Sequence, residues 1–162
     1  MTFWVSALRF LIAAGIAGVL TLLLGIPVPR HIFRADRFPF KTYAFEKDGE
    51  IYKKLLVHKW KDIVPDASKV ITKMAKKRIN KNADRDALER LVQETCVAEI
   101  VHWILIVLTP VYCAGIPLGF GMLFSVLYAL GNLVFIIIQR YNRPRFEKIL
   151  AIMKMREMRK RG

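Results

Sequence analysis

One long stretch of this sequence lacks charged side chains altogether. From Ile100 to Gln139 there is no Asp, Glu, Lys or Arg, and a soluble basic protein such as a nucleic-acid binder does not normally carry such a stretch. Only two cysteines are present, Cys96 and Cys113, without a C-x-x-C pair or a zinc-ligand spacing. A glycine-rich phosphate loop is also absent. These absences argue against zinc-binding, nucleic-acid-binding and P-loop proteins, and they favour a membrane protein.

What the sequence does contain is apolar and basic at once. Hydrophobic residues make up 54% of it, and 27 Lys and Arg against 13 Asp and Glu give a formal net charge of +14. A chain of 162 residues is expected to form a single domain. A positive charge of this size suits anionic headgroups, a phosphate-bearing cofactor or an acidic carrier protein as the partner.

The first apolar run, residues 10–26, predicts a transmembrane helix over about 5–26. A cleaved secretory signal is the alternative interpretation. Against it, a positively charged n-region is nearly absent and no A-x-A-like cleavage site follows the run. Pro27 and Pro29 end the helix instead, so we expect an uncleaved span.

The uncharged stretch predicts two further spans. The turn residues of Gly115–Gly119 divide it into apolar segments at about 97–114 and 120–138. Each segment is slightly short for a helical span, so its ends must lie close to the membrane interfaces. A helix capped by Asn82 or Asp84 is expected to run without a break into the first of these two spans.

Aromatic and basic residues alternate between residues 30 and 65, with a turn signal at Glu46–Gly49. After that turn, apolar residues recur at helical spacing from Ile51 to Trp60, with lysines between them. This pattern is typical of a segment in the membrane interface, although an ordinary amphipathic helix packed on its own domain explains it nearly as well. The basic run at 69–81 predicts a surface facing solvent or headgroups.

The distribution of Lys and Arg predicts the orientation, because cytoplasmic loops carry the excess of positive charge. We expect an all-α integral membrane protein, a single membrane domain over 1–162, with about three transmembrane helices. A basic, partly interfacial cytoplasmic helical region (27–96) joins spans 1 and 2, and a basic tail (140–162) follows span 3. The N-terminus and the turn between spans 2 and 3 then lie outside.

Glu99 and His102 are the first candidate site. They lie at i and i+3 on one helical face, with Thr95 one turn earlier, where a polar helix enters the uncharged stretch. An ionisable pair at membrane depth is costly and therefore indicates a functional site. The alternative is a boundary helix whose Glu and His reach the headgroups.

The segment from Gln139 to Arg145 is the second candidate site, because it is dense in hydrogen-bond donors. Guanidinium groups match the geometry of phosphates and carboxylates. A basic collar at the end of a transmembrane helix, with Pro144 starting the tail, explains the charges but not the Tyr and Asn. We therefore predict ligand binding by Arg140, Tyr141, Asn142, Arg143 and Arg145.

Other catalytic patterns are weak. His31 and Asp36 fit H-x4-D, a spacing that arises often by chance. Glu99-x-x-His102 has no second copy that would complete a di-iron site, so no metal is expected. Cys96 is poorly aligned with His102 on a helix, which argues against a cysteine nucleophile.

The sequence resembles the glycosyl-4,4′-diaponeurosporenoate acyltransferases of staphyloxanthin-type carotenoid synthesis. The matching pieces occur in the same order over most of the chain: Phe45-Glu46-Lys47 with Gly49, Lys59-Trp60-Lys61, Glu94-Thr95, Ala98-Glu99, His102-Trp103, Asn132 and Gln139 to Arg145. The resemblance implies a small membrane enzyme that esterifies a sugar hydroxyl of a glycosylated lipid with a fatty acyl group. It implies a bacterial-type cell membrane as the location, and the acceptor is a glycosyl carotenoid or another glycolipid.

For this reaction we expect His102 to be the general base, with Glu99 orienting it or stabilising its imidazolium, at the cytoplasmic face. We expect acyl-CoA or an acidic acyl carrier protein as the donor, and no bound cofactor. Besides the arginine segment, the expected substrate-binding residues are Lys59, Trp60, Lys61, Glu94 and Trp103. The alternatives are a non-enzymatic basic membrane adaptor or lipid-binding protein, and another membrane transferase such as a methyltransferase.

The predicted orientation can be tested by thiol labelling of intact cells. An impermeant reagent should reach a cysteine introduced at Gly115 and miss one introduced at Lys76. The reverse labelling pattern would contradict the orientation and move the predicted site away from cytoplasmic acyl donors.

Overall fold

The structure, a computed structural model, describes residues 2–25, 27–61 and 81–161. Within these ranges the chain forms helices and no strand, which confirms the all-α prediction. The helices are α1 (Phe3–Gly25), α2 (Ile51–Lys54), α3 (Val57–Trp60), α4 (Lys81–Val107), α5 (Thr109–Tyr112) and α6 (Leu118–Arg161), with 3-10 helices at Arg30–Ile32 and Ala44–Gly49. Lys76 and nearly all of the basic run at 69–81 lie outside the described residues.

The chain divides into two compact units. Unit 1 combines Met1–Pro29 with Ala98–Ile136, and unit 2 combines Arg30–Val97 with Ile137–Gly162. The single membrane domain over 1–162 stays a prediction. Among the described residues, two helices are long and apolar enough to cross a membrane, and both have a mean hydropathy of 2.2 in their apolar window: Phe3–Gly25 and Leu118–Arg159.

The segment predicted as the second span, 97–114, is not one helix. α4 passes from its polar half into the apolar stretch without a break, as predicted, but ends at Val107, and Pro110 lies in the first turn of α5. Proline has no N–H, so the carbonyl of Ile106 loses its helical donor. The hydroxyl of Thr109 donates to that carbonyl instead, at 2.6 Å. The N-cap prediction was also wrong, because Asn82 and Asp84 both lie inside α4.

Helix α6 continues through Pro144, where the tail was predicted to begin. The fixed φ of proline is compatible with a helix, but the hydrogen bond to the carbonyl of Arg140 is lost and the proline ring crowds that carbonyl. Gly49 packs against this interruption: a Cβ there would lie 3.2 Å from Pro144 Cγ and 3.6 Å from the Arg140 carbonyl oxygen. The φ of Gly49 is +85°, and Lys47 and Asp48 also have positive φ. The predicted turn at 46–49 is therefore confirmed, and it needs glycine at its end.

Aromatic side chains form the core of unit 1. The ring of Phe10 in α1 lies 5.5 to 6.0 Å, centroid to centroid, from the rings of Tyr112, Phe124 and Tyr128. Beside this core, Gly115 has a φ of +72°, which confirms the predicted turn. A cysteine at this position would be strained, so the exposed Ala114 is the better labelling site.

The hydroxyl of Tyr112 is the buried side-chain polar atom without a hydrogen-bond partner in the described part of the chain, and Tyr112 is only 4% exposed. We expect Tyr112→Phe to keep or raise the melting temperature, since it removes a hydroxyl that forms no hydrogen bond. Tyr112→Ala should cost about 3–5 kcal/mol, as other large-to-small aromatic changes do. Thermal unfolding in detergent measures both. If Tyr112→Phe is as destabilising as Tyr112→Ala, the hydroxyl has a partner.

Candidate functional site

In unit 1, the imidazole of His102 is hydrogen-bonded to an amide in α6. His102 Nδ1 lies 2.8 Å from Asn132 Oδ1. Asn132 Nδ2 donates to the Tyr128 carbonyl at 2.9 Å, which fixes the orientation of the amide and makes Oδ1 the acceptor. His102 therefore carries its proton on Nδ1 when neutral, and its lone pair is on Nε2. This is the tautomer that a general base acting through Nε2 requires.

A second residue of α6 fixes the plane of the same imidazole. The ring of Phe135 stacks on that of His102, with centroids 4.7 Å apart and planes 9° from parallel. Asn132 and Phe135 lie at i and i+3 and so share one face of α6. The half-buried imidazole is thus held at one edge by a hydrogen bond and across one face by an aromatic ring.

One hydrogen-bond partner of His102 is the amide of Asn132, which lies at Nδ1. That Glu99 orients the imidazole stays a prediction. Glu99 is buried, at 1% exposure, one turn before His102 in α4. A role for Glu99 in stabilising an imidazolium stays a prediction. Trp103, the next residue along α4, is 40% exposed.

In unit 2, Arg140 binds a buried carboxylate with two parallel hydrogen bonds from one edge of its guanidinium. Its Nε donates to Glu46 Oε1 at 2.6 Å and its Nη2 donates to Oε2 at 2.8 Å. The same guanidinium donates to the carbonyls of Pro39 and Lys41, each at 3.3 Å. Its Cζ also lies 4.9 Å from the centroid of the Tyr43 ring. The donors of Arg140 are thus directed at protein groups.

Glu46 is 1% exposed, and both of its carboxylate oxygens accept hydrogen bonds. Besides Arg140, the Tyr52 hydroxyl donates to Oε1, and the Tyr43 backbone N–H donates to Oε2 at 2.7 Å. Burial alone would raise the pKa of Glu46, but the hydrogen bonds from Arg140, Tyr52 and Tyr43 bring it below its usual value. Burial, followed by the hydrogen bond to Glu46, raises the pKa of Tyr52.

Arg143 is also bound by the protein and is 1% exposed. Its Nη1 donates to the Phe40 carbonyl at 2.7 Å, and its Nε and Nη2 donate to Thr95 Oγ1 and the Thr95 carbonyl at 2.9 and 3.0 Å. Together, Arg140 and Arg143 bind three consecutive carbonyls, those of residues 39–41. We call this arrangement the arginine clamp. It favours a structural role for both arginines over the predicted binding of donor phosphates.

The other predicted substrate-binding residues of unit 2 have varied surroundings. Arg145 stacks on the buried ring of Tyr141, with its Cζ 3.5 Å from the centroid. Trp60 Nε1 donates to the Leu55 carbonyl at 2.8 Å, and Glu94 accepts from Arg30 Nε at 2.8 Å. Asn142 and Lys61 are half-buried and Lys59 is exposed. Glu99, His102 and Trp103 belong to unit 1 instead.

Sequence reasoning gave no role to Asn132 and Glu46, although both lie in pieces that carry the family resemblance. Asn132 is a polar side chain within an uncharged apolar stretch. A polar group is unfavourable there unless it has a partner, and this could have marked Asn132 as a candidate. Glu46 is an acid among basic residues, where a turn signal explained it sufficiently. Its partner Arg140 is 94 residues away, beyond any local pattern.

The chain is similar to known acyltransferases. The family model of glycosyl-4,4′-diaponeurosporenoate acyltransferase matches residues 29–152. The enzyme of that name from Staphylococcus aureus strain MRSA252 is 35% identical over 135 residues, which is 82% of this chain and 81% of the relative. Those of strains N315 and bovine RF122 / ET3-1 are 34% identical over the same length. No solved structure matches.

These matches, with the apolar helices described above, define a membrane-associated acyltransferase. The chain belongs to the glycosyl-4,4′-diaponeurosporenoate acyltransferase family, as the sequence resemblance indicated. Its membership decides against the adaptor and the methyltransferase that the sequence left open.

The arginine clamp predicts that Arg143→Lys lowers stability. Lysine cannot reproduce three hydrogen bonds from a planar guanidinium, and each buried group left unsatisfied costs about 1–3 kcal/mol. We expect a lower melting temperature with an unchanged donor KM in the fraction that stays folded. Arg156→Lys, at an exposed position of the same helix, is the matched control and should unfold nearly as the wild type does. A raised donor KM with normal stability for Arg143→Lys would restore the phosphate-binding role.

Proposed function

We propose that this enzyme transfers a fatty acyl group from an acyl thioester to a sugar hydroxyl of a glycosylated lipid, with His102 as the general base. The observation that supports this most directly is the hydrogen bond from His102 Nδ1 to Asn132 Oδ1, at 2.8 Å, which leaves the basic lone pair on Nε2. A sugar hydroxyl is a poor nucleophile, and a positioned base contributes roughly 10²- to 10⁴-fold to such a reaction.

In the proposed reaction, one histidine takes the proton of the sugar hydroxyl and then returns it to the leaving thiolate. The sugar hydroxyl oxygen attacks the thioester carbonyl carbon while its proton passes to Nε2 of His102. The tetrahedral intermediate then collapses, its C–S bond breaks, and the leaving thiolate takes the proton from the imidazolium. Glu99, buried one turn away on α4, would stabilise the transient positive charge of that imidazolium.

The acceptor and donor are proposed from different observations. The relatives are named for glycosyl-4,4′-diaponeurosporenoate, and we propose a glycosyl carotenoid or a related glycolipid as the acceptor here. The donor would be acyl-CoA or an acyl carrier protein, whose negative charge suits the net charge of +14. Because the clamp engages Arg140 and Arg143, donor binding is assigned instead to Lys59, Lys61 and Arg145. Trp60 and Trp103 would line the boundary between sugar and lipid.

The proposed enzyme crosses the membrane three times, with its basic region and tail in the cytoplasm. The apolar stretch of α4 and α5 would form the second crossing despite the break at Pro110. One contact within unit 1 supports the number of crossings: the Arg9 guanidinium lies 3.3 Å from the position of a Cβ on Gly115. The beginning of α1 and the turn after α5 therefore lie side by side, as expected if both are on the same side of the membrane, and the distribution of Lys and Arg is the reason to propose the outer side.

The base assignment predicts that His102→Ala loses most of the acyl transfer, on the order of 10²- to 10⁴-fold in kcat. Glu99→Gln should cause a smaller loss, because Glu99 does not itself take the proton. Ser125→Ala is the matched control: Ser125 hydrogen-bonds the Gly121 carbonyl in the same unit, so its loss should leave the rate unchanged. The measurement is mass spectrometry of acylated glycolipid formed by protein reconstituted in vesicles. Near-normal transfer by His102→Ala would rule out the base.

Two substitutions of Asn132 separate positioning from folding. Asn132→Asp keeps an acceptor for Nδ1 and adds a negative charge, so the pH–rate profile should shift toward higher pH. Asn132→Leu removes the acceptor and should lower kcat more than it changes the donor KM. Equal losses with an unshifted profile would show that Asn132 only maintains the fold.

A further inference from the structure

The arginine clamp fixes the backbone of a segment that exposes large aromatic side chains. In the aromatic loop, which we define as residues 37–45, the carbonyls of residues 39–41 are bound by Arg140 and Arg143. Phe40 is buried, yet Phe38 is 83% exposed. The buried Arg143 and the half-buried Arg140 thus hold a loop whose Phe38 ring is exposed.

Phe38 is accompanied by an aromatic pair at the other end of the aromatic loop. Tyr43 and Phe45 stack with centroids 5.7 Å apart and planes 7° from parallel, and they are 40% and 65% exposed. The ring of Tyr43 lies against Arg140, so the pair is fixed by the same clamp. Exposed aromatic groups on a rigid backbone mark an interaction surface, since ordering them and leaving them in water is unfavourable.

The surroundings of the aromatic loop are positively charged. Arg37, Lys41 and Lys47 are exposed in or next to it. Of the nearby acids, Asp36 pairs with Arg34 at 2.7 Å, Asp48 pairs with Lys148 at 3.3 Å, and Glu46 is buried against Arg140. The exposed charge beside the aromatic rings is therefore basic, which suits an anionic surface.

We propose that the aromatic loop is a membrane-docking surface, with Phe38 and Phe45 inserted among the headgroups of an anionic bilayer and Arg37 and Lys41 bound to lipid phosphates. Aromatic residues flanked by bases are the composition that binds the bilayer interface. The aromatic loop also follows the apolar helix α1 along the chain after a short connection, which favours a bilayer as the partner. An acidic carrier protein would match the charge, but the exposed aromatic rings suit the bilayer interface better. This inference does not rest on the role of His102.

The test is a spin-label measurement on the full chain reconstituted in vesicles. A nitroxide is attached at Phe38→Cys, or at Glu50→Cys as the matched control, which is exposed and acidic. Cys96→Ala and Cys113→Ser remove the native thiols. Collision rates with oxygen, which concentrates in lipid, and with a neutral nickel chelate, which stays in water, are recorded in phosphatidylcholine with and without phosphatidylglycerol. An excess of acyl carrier protein is added in a third arm.

We expect the oxygen-to-nickel collision ratio to be severalfold higher at position 38 than at position 50, and higher still with phosphatidylglycerol. Equal ratios at the two positions in both lipid mixtures would overturn the proposal. Protection of position 38 that appears only with the carrier protein would overturn it in favour of carrier docking. If the cysteine replacements unfold the protein, Phe38→Trp with the native cysteines decides: acyl-brominated lipid should quench its fluorescence beyond the wild-type background, and no added quenching contradicts docking.

Discussion

Unit 2 depends on two guanidinium groups, one buried and one half-buried, whose hydrogen bonds are made to the protein. An unmatched buried charge costs several kcal/mol, so Arg140 and Arg143 are tolerated only because carbonyls, a hydroxyl and one carboxylate receive their donors. The same hydrogen bonds join segments that are far apart in sequence: the loop at 39–41, Thr95 in α4, and α6. A dense basic motif is thereby used to fix the backbone of the unit.

In unit 1, the hydrogen bond between His102 and Asn132 is made without a charged partner. Asn132 holds the Nδ1 proton of His102 through a neutral amide oxygen, where many histidines are held by a carboxylate. In apolar surroundings a neutral acceptor is cheaper than a second charge, because its desolvation costs less. The amide also donates to the Tyr128 carbonyl, so the side chain that orients the imidazole is itself oriented.

Local patterns in the sequence predicted the helical class, the two long apolar helices and the turns at Glu46–Gly49 and Gly115–Gly119, because each depends on neighbouring residues. The break at Pro110 was missed because the span was predicted from its apolar residues, and proline's missing backbone N–H was not considered. The sequence analysis did not anticipate the protein partners of Arg140 and Arg143, and phosphate binding there stays a prediction. Those partners, Glu46, Phe40 and Thr95, lie 48 to 103 residues away along the chain.

The low pKa of Glu46 has a consequence for enzymology. A carboxylate whose pKa is lowered in the folded state stabilises the fold above its unfolded pKa of about 4.3, and this stabilisation is lost only as the pH falls through the folded value. Tyr52, whose pKa is raised, stays protonated throughout the neutral range. An ordinary histidine titrates near pH 6.5, between these limits. Neither Glu46 nor Tyr52 therefore changes its charge at the pH where an imidazole titrates. A pH–rate profile measured around neutrality should not contain a contribution from either group.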